Sequence, residues 1–375
     1  MINKNRLIDE FVTLTKFDSE SFNELEIQQY VIKKLKELGL EVKEDNSKDN
    51  YKKYSNNKGI TNNIYAYLKG DIKKDSIIIA SHLDTVSPGN NKKAVIHEDR
   101  ITSDGNTVLG ADDLSAVASV LEALKVIKEN NIKHKDIEFI FFVAEEPFAK
   151  GSRYFDYSLL KSKEAYVFDL EGNINDAAIA APSIISFNIK IKGKSAHAGF
   201  NPEEGINSLV ILNKALNEIK LGKINENTTV NIGLINGGTG VNIVPDLIEL
   251  KGEIRSLDND IAINELKRIE EVFKSNANSL GGNIEFNYEI EFSAYNVGLN
   301  DNVINRYTNA LNKINDKKIN FIKTFGGSDN NNLSMHNIKG IVIGNGMRKV
   351  HSKDEYILID DLVDTSKLIL KLIEE

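Results

Sequence analysis

The chain of 375 residues contains no cysteine. Disulfides and thiolate ligands are therefore excluded, and any metal site must be built from His, Asp and Glu. No apolar run approaches the about 18 residues expected of a membrane span, and residues 1–10 lack the apolar core of a secretion signal, so the expected location is the cytoplasm. Positive charge is not in excess. The 47 Lys and Arg face 55 Asp and Glu, for a net charge of −8 and a pI near 5.5. That balance argues against a nucleic-acid partner, which a basic patch would normally announce, whereas acidic clusters can hold metal ions. Internal repeats and an extended low-complexity tail are also missing. What remains is an ordinary globular composition, 41% hydrophobic and 27% charged, in a chain longer than one core usually grows. Two domains are expected.

The stretch Ser76-Ile77-Ile78-Ile79-Ala80-Ser81-His82-Leu83-Asp84-Thr85 reads as a buried strand ending in two polar residues two positions apart. Side chains alternate along a strand, so His82 and Asp84 point the same way. A core has no need of that pair at the carboxyl end of an apolar run, which is where open α/β sheets place their ligands. Neutral imidazole is a good zinc ligand, and a nearby carboxylate can orient the ring by accepting its second N–H.

Around this strand the chain alternates. Residues 6–16 and 24–38 have helical periodicity, the second helix stopping at Gly39. Residues 45–63, rich in Asn and Lys, read as a solvated loop, and 63–69 and 76–80 as strands. Residues 86–111 are polar and lead into Asp112-Asp113, from which a helix carrying Leu114, Val117, Leu121, Leu124 and Ile127 begins with an aspartate as its cap. A buried strand at 137–144 runs into Glu145-Glu146-Pro147, and another at 165–168 into Asp169.

From about residue 183 the pattern becomes β-α-β-β-α-β, with strands at 184–192, 228–234, 247–256 and 283–292 and helices at 203–220 and 259–280. Its strands alternate cleanly, as in a sheet covered by helices on one face only. Residues after about 295 return to the first pattern, with a helix near 303–313, a buried strand at 341–343 and His351 beyond it. The expected fold class is α/β. A mixed-sheet catalytic domain formed by residues 1–182 and 294–375 carries an inserted split-βαβ, ferredoxin-like lid and dimerisation domain at 183–293.

The polar residues at the ends of buried strands are His82, Asp84, Asp112, Glu145, Glu146, Asp169 and His351. One zinc usually takes four ligands, so this set suits two metals about 3.5–4 Å apart sharing a carboxylate and a water. The adjacent Glu145 and Glu146 point in different directions on leaving a strand, so one can bind metal while the other faces substrate. By contrast His97, His134 and His336 lie in polar surroundings without matching partners and read as surface residues.

Taken together, His82-x-Asp84, Gly110-Ala111-Asp112-Asp113, Glu145-Glu146, Asp169, Lys192-Gly193-Lys194-Ser195-Ala196-His197-Ala198-Gly199 and His351 resemble the di-zinc exopeptidase family of tripeptidase T, carboxypeptidase G and aminoacylase. The likeness spans nearly the whole chain in the right order. It is nearest to the peptidase T-like members, through Gly237-Gly238-Thr239, Asn242-Ile243-Val244-Pro245-Asp246, Arg255-Ser256-Leu257-Asp258 and Gly326-Gly327-Ser328-Asp329.

The resemblance implies a role for each residue. His82 and Asp169 would hold one zinc and Glu146 and His351 the other, with Asp112 bridging and a cis peptide joining Asp112 to Asp113. Asp84 would steer His82, and Glu145 would be the general base on a water made acidic by zinc. Co2+ or Mn2+ could take the place of Zn2+. His197 would donate to the carbonyl oxygen of the scissile amide, reaching across a homodimer formed through the lid. Arg255, otherwise a solvated ion-pairing residue, would bind a peptide carboxylate, and Asn242, otherwise a turn former, would contact substrate. One departure is Leu114, where the family often has Lys. The implied activity is release of the amino-terminal residue from tripeptides or other short peptides. The alternatives are a carboxypeptidase or N-acyl-amino-acid deacylase with the same metals, and a metal- or peptide-binding protein without catalysis.

Overall fold

The computed structural model describes residues 1–374, which divide into two compact units. Unit 1 comprises residues 1–180, 297–324 and 328–375; unit 2 comprises 181–296 and 325–327.

Unit 1 is built on a mixed sheet with four adjacent parallel strands in its middle, Ile137–Phe142, Ile77–His82, Glu164–Leu170 and Lys339–Gly344. The first two are buried along their whole length, as expected of parallel strands covered on both faces. Ile64–Leu68 and then Glu41–Glu44 extend one side antiparallel. Asp176–Ala181 lies antiparallel to Lys339–Gly344 on the other side. Alternate residues Ile78, Ala80, Ile140, Phe142, Ala165 and Val167 form one cluster on a single face. The helix Ala111–Asn130 is buried on nearly every side, which is how a helix reads when it lies inside a core. Lys4–Leu14 and Leu25–Leu38 are amphipathic, burying Leu7, Phe11 and Leu14, and Ile27, Val31 and Leu35.

Several expectations change here. Segment 45–63 is not a solvated loop. It holds the short helix Lys48–Tyr51 and a buried polar knot in which the Asn63 side-chain amide donates to Asp45 (2.8 Å), Ser47 Oγ (3.0 Å), Tyr51 OH (3.1 Å) and the Gly151 carbonyl (3.0 Å). The polar stretch 86–111 contains the strands Ala94–Ile96 and Arg100–Ser103, part of a separate four-stranded sheet completed by Met347–Arg348 and Tyr356–Leu358. His134 is 6% exposed, its Nδ1 at 2.8 Å from the Lys135 carbonyl, so it is a buried residue. His97 and His336 are exposed.

Unit 2 carries five strands in the order Gly222–Asn225, Thr228–Gly237, Leu247–Ser256, Ser183–Lys192 and Asn283–Phe292, each antiparallel to its neighbour. Setting aside the short edge strand, the spatial order is second, third, first, fourth in chain order, the ferredoxin-like arrangement. Both helices, Ser208–Glu218 and Asn259–Ser279, contribute Ile211, Leu212, Leu266, Ile269 and Phe273 to the core formed by Ile185, Phe187, Ile189, Ile191, Leu250 and Ile254. The first helix starts later than its periodicity predicts, because Pro202–Glu204 forms a separate 3-10 turn and Asn207 caps the helix by accepting from Leu209 N and Val210 N.

Candidate metal centre

The four parallel strands of unit 1 end together, and each delivers chemistry at its carboxyl end. His82 closes its strand, Asp169 is the sixth residue of Glu164–Leu170, and Glu145 and Glu146 follow shortly after Phe142. His351 lies beyond Lys339–Gly344, and Asp112 sits at the start of the central helix. Asp112 presents one oxygen to each histidine. Its Oδ1 is 3.1 Å from His82 Nε2 and its Oδ2 is 3.1 Å from His351 Nε2. On the His82 side, Nε2 is also 3.8 Å from Asp169 Oδ1; on the other, His351 Nε2 is 3.0 Å from Glu146 Oε2. Donor atoms of His82, Asp112 and Glu146, and likewise of His82, Glu145 and Asp169, all fall within 4.8 Å of one another.

The charges explain what such a cluster requires. Burial, followed by the negative charge of Asp169, pushes the Glu145 carboxyl well above its usual range. Burial and Asp112 push Glu146 up to about 7. Burial likewise moves Asp169 to about 6. For Asp112 burial acts in the same direction but is outweighed by His351 and His82, which hold it below the carboxylate range. Hydrogen bonding to Asp112 and Glu146 raises His351 to about 10. Burial opposes protonation of His82, yet Asp112, Asp169 and Asp84 drive it upward. The site thus concentrates negative charge that cations must balance. Its donors are all carboxylate oxygens and imidazole nitrogens, the set that suits Zn2+, Mn2+ or Co2+ without thiolate. Glu146 Oε1 is buried with no hydrogen-bond partner, which a metal ligand oxygen would explain. The residues fit a metal pair bridged by Asp112.

The supports are largely side chains that local sequence does not reveal. Asp84, expected to orient His82 with its carboxylate, has another partner set. The nearer acceptor for His82 Nδ1 is the Asp84 backbone carbonyl at 3.0 Å, with Oδ1 at 3.4 Å. The carboxylate itself accepts from Glu145 N (2.9 Å), Glu146 N (3.1 Å) and Ser21 Oγ (2.7 Å). Asp113 accepts from His82 N (3.2 Å) and from the Asn345 amide (2.6 Å). Glu355 takes Leu109 N (2.6 Å) and Gly110 N (2.8 Å) on one oxygen and Asp112 N (3.0 Å) on the other. The expected aspartate cap is therefore replaced. Gly110 is the cap residue, Asp112 and Asp113 have non-helical backbone angles and are joined by a cis peptide, and Glu355 satisfies the free amides. Glu355 stands four residues after His351, the only local hint of its role. Ala144 and His351 adopt positive φ, as do Phe148 and Ala149 nearby; non-glycine residues in that region collect at functional sites.

Unit 2 holds the other three singled-out residues. His197 is exposed, and its Nδ1 accepts from Gly199 N (3.1 Å) and Phe200 N (3.2 Å). That pairing puts the ring proton on Nε2. Backbone bonds from Ala198 N to Asn242 O and from Val244 N to Ala196 O tie its loop to the exposed Asn242. Arg255 donates through Nε (2.8 Å) and Nη2 (3.0 Å) to Glu253 and through Nη1 (2.8 Å) to the Phe325 carbonyl. Of its five N–H donors, two remain for another acceptor. Asp329, the last residue of the Gly326-Gly327-Ser328-Asp329 motif, is fully buried at the start of the helix Asp329–Met335.

The model described as peptidase family M28 matches residues 63–198, and that of the peptidase dimerisation domain matches residues 179–281. The crystal structure of the aminopeptidase PepT from Bacillus cereus superposes with a TM-score of 0.93 at 35% identity, covering 100% of this chain and 98% of that one. A tripeptidase from Staphylococcus aureus does so with a TM-score of 0.94 at 33% identity, covering 100% and 98%. The protein YqjE of Bacillus subtilis is 36% identical over 379 residues, 100% of this chain and 99% of its own length. The fold alone is shared at 18% identity with YXEP of Bacillus subtilis, a dinuclear metal binding peptidase of the M20 family, with a TM-score of 0.74 over 99% and 97% of the two chains.

Proposed function

The chain belongs to the peptidase T family of metallopeptidases, and on that premise we propose that it releases the amino-terminal residue of tripeptides, using two Zn2+ ions bridged by Asp112. It is a peptide exopeptidase. The observation that carries the two-metal reading is the position of Asp112, one carboxylate oxygen at 3.1 Å from each of the two histidines. His82 and Asp169 would complete one metal site, and Glu146 and His351 the other.

Bound there, the ions supply Lewis acidity, making water nucleophilic near neutral pH and polarising the scissile carbonyl. The remaining chemistry belongs to the chain. Glu145 accepts the proton of the attacking water and returns it to the departing amine. Asp84 fixes the backbone amides of Glu145 and Glu146, so that the two carboxylates diverge. His197, with its proton on Nε2, donates to the oxygen on which negative charge develops. The peptidase dimerisation domain matched at residues 179–281 supports a homodimer, in which His197 serves the partner's site. The two free N–H donors of Arg255 receive the peptide's carboxylate, and Asn242 contacts the bound peptide beside the His197 loop. Among the described residues no helix is long and apolar enough to cross a membrane, and the reaction takes place in the cytoplasm.

A panel of one tripeptide in free, N-acetylated and C-amidated forms tests the polarity. The free peptide loses its first residue and the N-acetyl form is not cleaved. Release of the last residue, or of acetate from the blocked form, would replace this reading with a carboxypeptidase or a deacylase.

A further inference from the structure

The loop that leaves the strand Ile137–Phe142 must send two adjacent glutamates in different directions, and its backbone amides no longer have sheet partners. Four consecutive amides are instead caught by buried side chains from three places in the sequence. Val143 N donates to Asn63 Oδ1 (3.0 Å), Ala144 N to Glu24 Oε1 (2.9 Å), Glu145 N to Asp84 Oδ1 (2.9 Å) and Glu146 N to Asp84 Oδ2 (3.1 Å). Of these three, Glu24 is the least expected. It occupies the N-cap position of the helix Leu25–Leu38 but makes no side-chain bond to that helix. Its side chain turns away, 1% exposed, and the same Oε1 also accepts from Phe22 N (2.9 Å). Burial, and then the nearby negative charge of Asp84, push its carboxyl up to about 8.

A buried carboxylate beside another is costly, and helix capping gives no reason for it, since Ser, Thr, Asp or Asn would cap better. What Glu24 does hold is Ala144, whose φ of +48° a residue with a Cβ rarely adopts. This is the residue immediately before the pair. We propose that Glu24 is a positioning residue for Glu145 and Glu146, holding the backbone turn at Ala144 that aims the two carboxylates apart. The inference rests on the reading of Glu146 as a metal ligand and Glu145 as the base. Functional groups of this kind must be held to within about 0.5 Å, and loss of such outer supports typically costs about 10–100-fold in metal affinity or activity.

Three full-length variants test it. Glu24→Ala removes the acceptor, Glu24→Asp keeps the carboxyl group but shortens its reach, and Glu24→Gln keeps an acceptor oxygen at the same place. Zn2+ affinity is read by chelator competition, which needs no substrate and so stands apart from the peptidase assignment; kcat and KM are read on whichever tripeptide the wild type cleaves. Glu24→Asp and Glu24→Ala are expected to weaken one of the two Zn2+ equivalents about 10–100-fold and to lower kcat by a similar factor with KM within about twofold. Glu24→Gln should recover most of both. Wild-type Zn2+ affinity and kcat in Glu24→Asp would overturn the proposal. So would a Glu24→Gln variant as impaired as Glu24→Asp, because the acceptor oxygen would then not be what matters.

Discussion

The two units hold their polar side chains in opposite ways. In unit 1 the metal-centre residues other than the exposed His351 are buried or half-buried, and the segments that carry them are tied to partners far along the chain. Asp112 N is bound by a side chain 243 residues away, Asp113 by one 232 away, and Ala144 N by one 120 away. In unit 2 the corresponding residues are held by neighbours. His197 is fixed by amides two and three residues on, and Arg255 chiefly by a glutamate two residues back, with one further bond to the Phe325 carbonyl. A dense cluster of buried charge is stable only if every member is paired, and removing one partner there leaves a charge that costs about 3–5 kcal/mol. A part-exposed pair such as Arg255 with Glu253 is screened and contributes about 1 kcal/mol or less. The scaffold of unit 1 is thus committed to a single geometry. Unit 2 can present a side chain on a simple turn.

This contrast can be broken by mutation, and the largest effect is expected at Asp112. Asp112→Asn removes the shared charge and should lower occupancy of both metal positions, with activity lost alongside; metal analysis of the dialysed protein checks it. Loss of only one ion per chain would assign Asp112 to a single metal and remove the bridging reading. His197→Ala should have the smaller effect and of another kind. Metal content and folding stay as in the wild type, while kcat falls about 10²–10³-fold, the usual effect of losing one donor to a developing oxyanion. Mixing His197→Ala with Glu145→Gln subunits sharpens this further. A hybrid dimer places both lesions at one site and leaves the other whole, so activity should return if His197 acts across the dimer. Confirmed hybrids without activity would place it within its own subunit.

How far each unit could be read from sequence follows the same division. Unit 2 was legible because its strands alternate in period two and its helices bury one stripe, so Ile185, Phe187, Ile189 and Ile191 fall into the core as the pattern predicts. The parallel strands of unit 1 were legible as apolar runs, and the polar residues at their ends marked where the cluster would lie. The supports were not. Glu24 looks like the start of a helix, Asn63 like a loop residue, and Glu355 and Asn345 have no local signal, because their partners become neighbours only in the folded chain. The same holds for Tyr51, whose ring is 0% exposed within a stretch of Asn and Lys that reads as solvated. Short strands such as Ala94–Ile96 contain too few residues to set a period. The role expected of Asp84 was partly misplaced for the same reason, since its carboxylate accepts from amides 61 and 62 residues away, while its backbone carbonyl lies nearer than its carboxylate to His82 Nδ1.

The assignment of adjacent glutamates to different tasks is the centre of the account, and metal stoichiometry combined with kcat in Glu145→Gln and Glu146→Gln tests it most directly. Glu145→Gln should retain two metals per chain and lose several orders of magnitude in kcat, because only the base is removed. Glu146→Gln should lose or weaken one metal. Equal metal loss in the two variants would contradict the division of labour between Glu145 and Glu146.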